Sequence, residues 1–273
     1  HFIPGHSRII GKGDEAQLYV DDFEAAKTTV NLTIPGFWFL ASTPQHQTKK
    51  GMFPEAAPGT GLQYGFNRAK LAWYIIDPLF HNNSMSTPSN ITKDDKSEIY
   101  SRRILIKEVF PYKSIDQTSE DPYLSVLNLA FYPTERGPYN YDALGVPGIS
   151  AGLNTDGTLK NPQTRWGGIM RKMDNTDFET SNIEYIEFWM MDPFYENPTH
   201  KGGKLYFNLG DISEDILRDG RKSFEHGLAA DGSDKDIDYT VWGRVPAVQS
   251  IVSAFDNSVS TRVYQDVGYD GLY

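Results

Sequence analysis

The stretch IEYIEFWMMDPF (Ile183–Phe194) reads as a strand that a proline brings to a stop. Ile183 and Tyr185 alternate in one phase, and Phe188 and Met190 continue in the other. Apolar residues in both phases predict a strand buried on both faces, with a register change near Glu187. Asp192-Pro193 ends it, because proline brings no N–H to a ladder and holds its predecessor extended. Asp-Pro recurs at Asp77 and Asp121 and is read there too as structural punctuation. WYIIDPLF (Trp73–Phe80) echoes FWMMDPF (Phe188–Phe194): an aromatic start, a pair of apolar residues, then Asp-Pro. Two copies are too few for a solenoid.

Outward from this stretch, short strands alternate with turns. QLYVDDFE (17–24), Val30–Leu40 with a turn at Pro35-Gly36, Ile104–Phe110 and Leu124–Tyr132 all read as strands. So do Gly167–Arg171, Lys204–Leu209, Tyr239–Val245, Ser250–Phe255 and Arg262–Val267. Leu127–Phe131 alternates as a half-buried strand does. Either Asn67 caps a short helix over Arg68–Tyr74, or Trp73–Ile76 is a strand. Residues 43–66 and 135–165 are Pro- and Gly-rich loops, the second with turns at Gly137-Pro138, Pro147-Gly148 and Asp156-Gly157. Residues 81–98 are polar and poor in apolar side chains, and read as a mobile loop or an insertion. One helix is expected, with Ser213 as N-cap, Glu214 and Asp215 in its first turn, Arg218 in its last and Gly220 ending it. The fold class is therefore mainly β: a jelly-roll-like antiparallel β-sandwich with one or two short helices and long loops.

Composition agrees. The 16 Tyr, 15 Phe, 24 Gly and 16 Pro among 273 residues favour strands and turns over long helices. With no cysteine, disulfides, thiol catalysis and zinc–thiolate sites are excluded. A net charge of -10 repels phosphate backbones, so nucleic acid is not an expected partner. There is no ~20-residue apolar run and no barrel-wall pattern, so no membrane insertion of this stretch is expected. HFIPGHSRIIGKGDEAQ (1–17) lacks the layout of a signal peptide and reads as the start of a piece cut from a longer protein.

Catalytic signatures are missing. There is no G-x-S-x-G elbow, Walker motif or dinucleotide glycine pattern. The histidines (His1, His6, His46, His81, His200, His226) show no i, i+4 pair. Glycoside hydrolysis needs two facing carboxylates, and nothing singles out a pair. Calcium is the ion best suited to the sequence, since it takes many oxygens from irregular loops. The candidate ligands are Asp21, Asp22 and Glu24, then Asp174 and Asp177 in DNTDFE (174–179), with DVGYDG (266–271) a further oxygen-rich run. Trp38, Trp73, Trp166, Trp189 and Trp242 serve a core or, if exposed, stack on sugar rings, which makes a calcium-stabilised carbohydrate-binding module the alternative function.

Several stretches carry a family likeness. They are YVDDFE (19–24), ASTP (41–44), AKLAWYIIDPLF (69–80) and ERGPYNYD (135–142). RWGGIMRKMDNTDFETSNIEYIEFWMMDPF (165–194), GKLYFNLGDISEDILRDGRKSFEHGL (203–228), WGRVP (242–246), AFDN (254–257) and QDVGYDGL (265–272) follow in order. The sequence resembles the SprA/Sov family, the giant outer-membrane translocon of type 9 secretion, linked in some bacteria to gliding motility. The resemblance implies that residues 1–273 form a single non-catalytic domain of a much larger barrel protein that conducts folded cargo. It implies as partners the other type 9 secretion components and secreted cargo. The domain is expected on the extracellular rather than the periplasmic side, where it would cap the pore. Residues 81–98 fit the family pattern least and read as a local insertion.

Overall fold

The structure, a computed structural model, describes residues 2–3, 18–19, 30–45, 51–57, 61–115, 121–174, 177–180, 183, 185–220, 228–248 and 255–265. Its regular elements in chain order are β1 (Phe2–Ile3), β2 (Leu18–Tyr19), β3 (Phe39–Leu40), β4 (Ala69–Tyr74), α1 (Lys93–Ser97), α2 (Ile106–Val109), β5 (Asn128–Arg136), β6 (Ile169–Met170), β7 (Ile237–Thr240), β8 (Gly243–Pro246) and α3 (Val259–Gln265). Among the described residues the strands pair antiparallel as β1–β2, β3–β6, β4–β5 and β7–β8. The fold is mainly β, built of small sheets with a few short helices.

The β4–β5 pair is the longest. Leu71 lies opposite Phe131 and Trp73 opposite Leu129, so these four side chains share one face. Lys70 and Tyr132 share the other, where the Lys70 ammonium sits 5.1 Å from the Tyr132 ring and 2.8 Å from the Glu135 carboxylate. The expected alternation of β5 is present, but Leu129 and Phe131 lie on its more exposed side. Gly137 follows the strand where a Cβ would meet the Ala69 carbonyl oxygen at 2.4 Å, a close approach that requires glycine. The apolar core gathers Tyr139, Leu217, Trp242 and Val245, with Leu40, Leu62 and Ile216 packed against it.

All three Asp-Pro steps behave as punctuation. Asp77, Asp121 and Asp192 each accept a hydrogen bond from the backbone N–H two residues on, across the proline, at 2.8, 3.1 and 2.9 Å. The turns expected at 137–138, 147–148 and 156–157 are present.

Elsewhere local chemistry overrides the sequence pattern. Arg68–Tyr74 is no helix; Ala69–Tyr74 is a strand, and Asn67 is a buried hydrogen-bonding hub rather than a cap. Within Ile104–Phe110 a helical turn, α2, replaces the expected strand, because Glu108 folds back to accept from the Leu105 N–H at 2.9 Å. Over residues 259–265 the chain is helical, not extended. The helix expected after Ser213 is a set of bends: the Asp215 carboxylate accepts from the N–H groups of Asp219 and Gly220, and Arg218 has a left-handed φ of 58°. Residues 81–98 are tied down by α1, whose Thr92–Asp95 capping box is complete, and by Lys96 donating to Asn82 and Asn83. Of the expected strand 17–24 only Leu18–Tyr19 is described, and 250–254 lie outside the described residues.

The largest correction concerns the opening stretch. Residues 185–191 and 204–209 form no strand, and Tyr185, Trp189 and Met190 are 79, 74 and 63% exposed. A strand needs a partner for its backbone as well as apolar side chains, and among the described residues neither segment has one.

Candidate functional site

Two places stand out: a buried polar node and a wide apolar concavity. The node forms where the 3-10 turn Pro54–Ala56 meets the start of β4, the loop after β5 and the segment before β6. Glu55 is fully buried; one carboxylate oxygen accepts from Trp166 Nε1 at 2.6 Å and the other from Asn67 Nδ2 at 2.7 Å. Asn67 Nδ2 also donates to the Ile149 carbonyl at 2.7 Å, while its Oδ1 accepts from Arg165. Arg165 spreads its fork over the carbonyls of Phe66, Lys160 and Gly152. Its guanidinium stands 4.0 Å from Asp142, whose two oxygens accept from the N–H groups of Gly145 and Gly152.

Arg68 completes the node. It is fully buried, donates to the carbonyls of Pro138 and Ala41, and lies 5.1 Å from the Trp166 ring centroid. Its backbone carbonyl accepts from Asn140 Nδ2 at 2.6 Å. Beside it, Tyr64 donates to the Thr43 carbonyl and Thr43 Oγ1 returns a hydrogen bond to the Tyr64 carbonyl. Arg218 reaches the carbonyls of Ala56 and Ala57, and Ser42 reaches that of Ser213.

Burial sets the electrostatics. It pushes the Glu55 carboxyl above the usual carboxylate range, against the hydrogen bonds from Trp166 and Asn67 that favour its charge. Burial also brings Arg68 down to about 10, partly opposed by Tyr139, Tyr64 and Glu55, so it stays cationic at neutral pH. The same cause lowers Arg165. Neither Glu55 nor Asp142 is open to solvent, and this arrangement fixes loops to one another.

The concavity has a volume of about 5180 Å³, several times the ~300–1,000 Å³ of a small-molecule pocket. Leu71, Leu129 and Phe131 of the β4–β5 face line it, and so do Ile186, Trp189 and Phe207 of the extended segments. Phe188 packs on Phe207 with ring centroids 5.3 Å apart, and Trp189 meets Phe110 edge-on at 5.9 Å.

Asp21, Asp22 and Glu24 lie outside the described residues, as does 266–271. Asp174 and Asp177 are exposed, and Asp177 accepts from the Thr180 N–H. Among the described residues no group of three or more His, Asp or Glu side chains is placed to hold a metal ion, and no helix is long and apolar enough to cross a membrane. Trp242 is buried, Trp38 donates to the Leu32 carbonyl and Trp166 to Glu55, whereas Trp189 is exposed. His200 stacks on Phe194 at 4.2 Å. The node itself was missed, because Glu55, Asn67, Asn140 and Arg165 sit at unrelated spacings. The signal that points to it is the family-like stretches, several of which supply its members. No protein-family model matches the chain, and no curated protein does.

Proposed function

We propose that the chain is a non-catalytic domain of a type 9 secretion outer-membrane translocon. In this role it contributes to pore capping, architecture or partner binding during protein export and gliding motility. One observation carries this reading: stretches that resemble the SprA/Sov family, far apart in sequence, meet at one built node. ASTP supplies the Ala41 carbonyl and Ser42; ERGPYNYD supplies Asn140 and Asp142; RWGG supplies Arg165 and Trp166. From ISEDILRDG comes Arg218, while Leu217 of the same stretch and Trp242 and Val245 of WGRVP meet in the adjoining apolar core with Tyr139. A motif set that specified unrelated local turns would have no reason to converge.

The finer architecture we propose is the jelly-roll-like sandwich, with β4–β5 in one layer. The domain sits on the extracellular side, and the other secretion components and cargo are its partners. The test is affinity capture from outer-membrane extracts of a type 9-secreting bacterium. Retention of the proteins that close or plug the barrel is the expected result; their absence, with the bait folded, would count against the proposal. The exposed side chains of Trp189 and Tyr185 favour a second reading as a carbohydrate-binding module. Polysaccharide gel shift separates the two: retardation abolished by Trp189→Ala supports sugar binding, and unretarded migration removes it.

A further inference from the structure

Two arms, Tyr185–Met191 and Lys204–Leu209, line the concavity outside any helix or strand. Among the described residues, no hydrogen bond is made by the N–H or C=O groups of either arm. Apolar, strand-length backbone in that condition is a template for pairing, and a partner strand satisfies it while burying the side chains. The arms already touch through Phe188 and Phe207. An antiparallel pairing centred there sets Met190 opposite Leu205 and leaves residues 192–203 as the connection. That connection turns at Asp192-Pro193, where Asp192 accepts from the Phe194 N–H. It passes through Gly202, whose φ is +80°, and Gly210, with φ +119°, lies just past the second arm; both are backbone states that glycine adopts freely.

The same concavity is lined by the β4–β5 face, whose Leu71, Leu129 and Phe131 remain only partly covered or exposed. We propose that the two arms are a strap: they pair with each other through Phe188 and Phe207 and close over the Leu71–Trp73–Leu129–Phe131 face. Closure turns an open face and two unpaired arms into two packed layers, the usual resolution for sheets that each have one apolar side. Charge permits it. Within the arms the charged residues are Glu187 and Lys204, one of each sign, and across the apolar face there is none. The inference stands apart from the translocon reading, since it concerns contacts within the chain.

The chain has no cysteine, so paired labels can be placed without a background. Leu129→Cys with Met190→Cys in the full chain, treated with a short bifunctional thiol reagent, is expected to cross-link. Leu129→Cys with Met85→Cys, at a fully exposed site in the 81–98 segment, serves as the control and is expected not to. In the unmodified chain, hydrogen exchange at the amides of 185–191 and 204–209 is expected to slow by about a hundredfold or more against unfolded-peptide rates. Exchange at unfolded rates overturns the strap. Slowed exchange without the cross-link also overturns it, because the arms then pair away from the β4–β5 face. A cross-link without slowed exchange overturns it as well, since chance encounter and not pairing would explain the contact.

Discussion

The polar node and the apolar strap region solve opposite problems. At the node, side chains that prefer water are buried, and nearly every polar atom is answered; Arg68 Nε is the exception among these residues. Along the arms, side chains that prefer burial are exposed, and among the described residues the backbone has no hydrogen-bond partner. Hydrogen bonds are directional and local, so a few loops can complete the node by themselves. Burial of an apolar face needs a second surface, and the arms depend on one. The lesson is that a few loops can satisfy buried polar groups among themselves, whereas the apolar surface of the arms calls for a second surface.

The comparison breaks most visibly at Arg165. Removing it by Arg165→Ala strands Asp142 and four acceptors, and should cost about 3–5 kcal/mol in urea denaturation; a loss near zero would mean the node is decoration. Asn67→Ala comes next, at about 2 kcal/mol, because Glu55 and the Ile149 carbonyl each lose a buried donor.

A pH series sharpens the same region. The folded Glu55 pKa is raised, so the folded state holds that proton more tightly than the unfolded chain does. Its stabilising contribution is complete below the unfolded carboxylate range, about pH 4, and declines as pH rises through the folded value. The stability of the parent relative to Glu55→Gln should therefore fall from pH 4 toward neutrality; a rise would reverse the assignment. Phe207→Ala should change global unfolding by less than about 1 kcal/mol, yet strip exchange protection from the arms, because a strap opens on its own. The smallest effect is expected at Glu108. Arg102 and the Leu105 N–H hold its carboxyl down to about 2, but the pair is open to water. Glu108→Gln should leave a thermal melt unchanged at high salt, where such pairs are screened.

What the sequence disclosed was its punctuation. Asp77, Asp121 and Asp192 turn the chain as read, and the Gly-Pro and Asp-Gly turns fall where expected, because turn chemistry lies within a few residues. The β-rich class followed from the same signals. Less legible was anything that depended on a distant group. Ser213 and Asp215 do bind nearby backbone as a helix start would, yet the Arg218 φ and the contacts of Leu217 redirect the chain into bends. Glu108 made a helix of a strand-like run through one back-bond. The node escaped entirely, since a buried Glu, Asn or Arg has no periodicity to betray it. IEYIEFWMMDPF kept its apolar character and lost its strand, because pattern names the wish for a partner and not its presence.

Native-state hydrogen exchange tests the contrast most directly. The amides of Arg68, Ala69, Gly152 and Trp166, bonded within and around the node, should exchange only with global unfolding. Those of Tyr185–Met191 and Lys204–Leu209 should exchange through a distinctly smaller opening. Equal opening free energies across both regions would contradict the account, for then the strap would be as much a part of the finished core as the node.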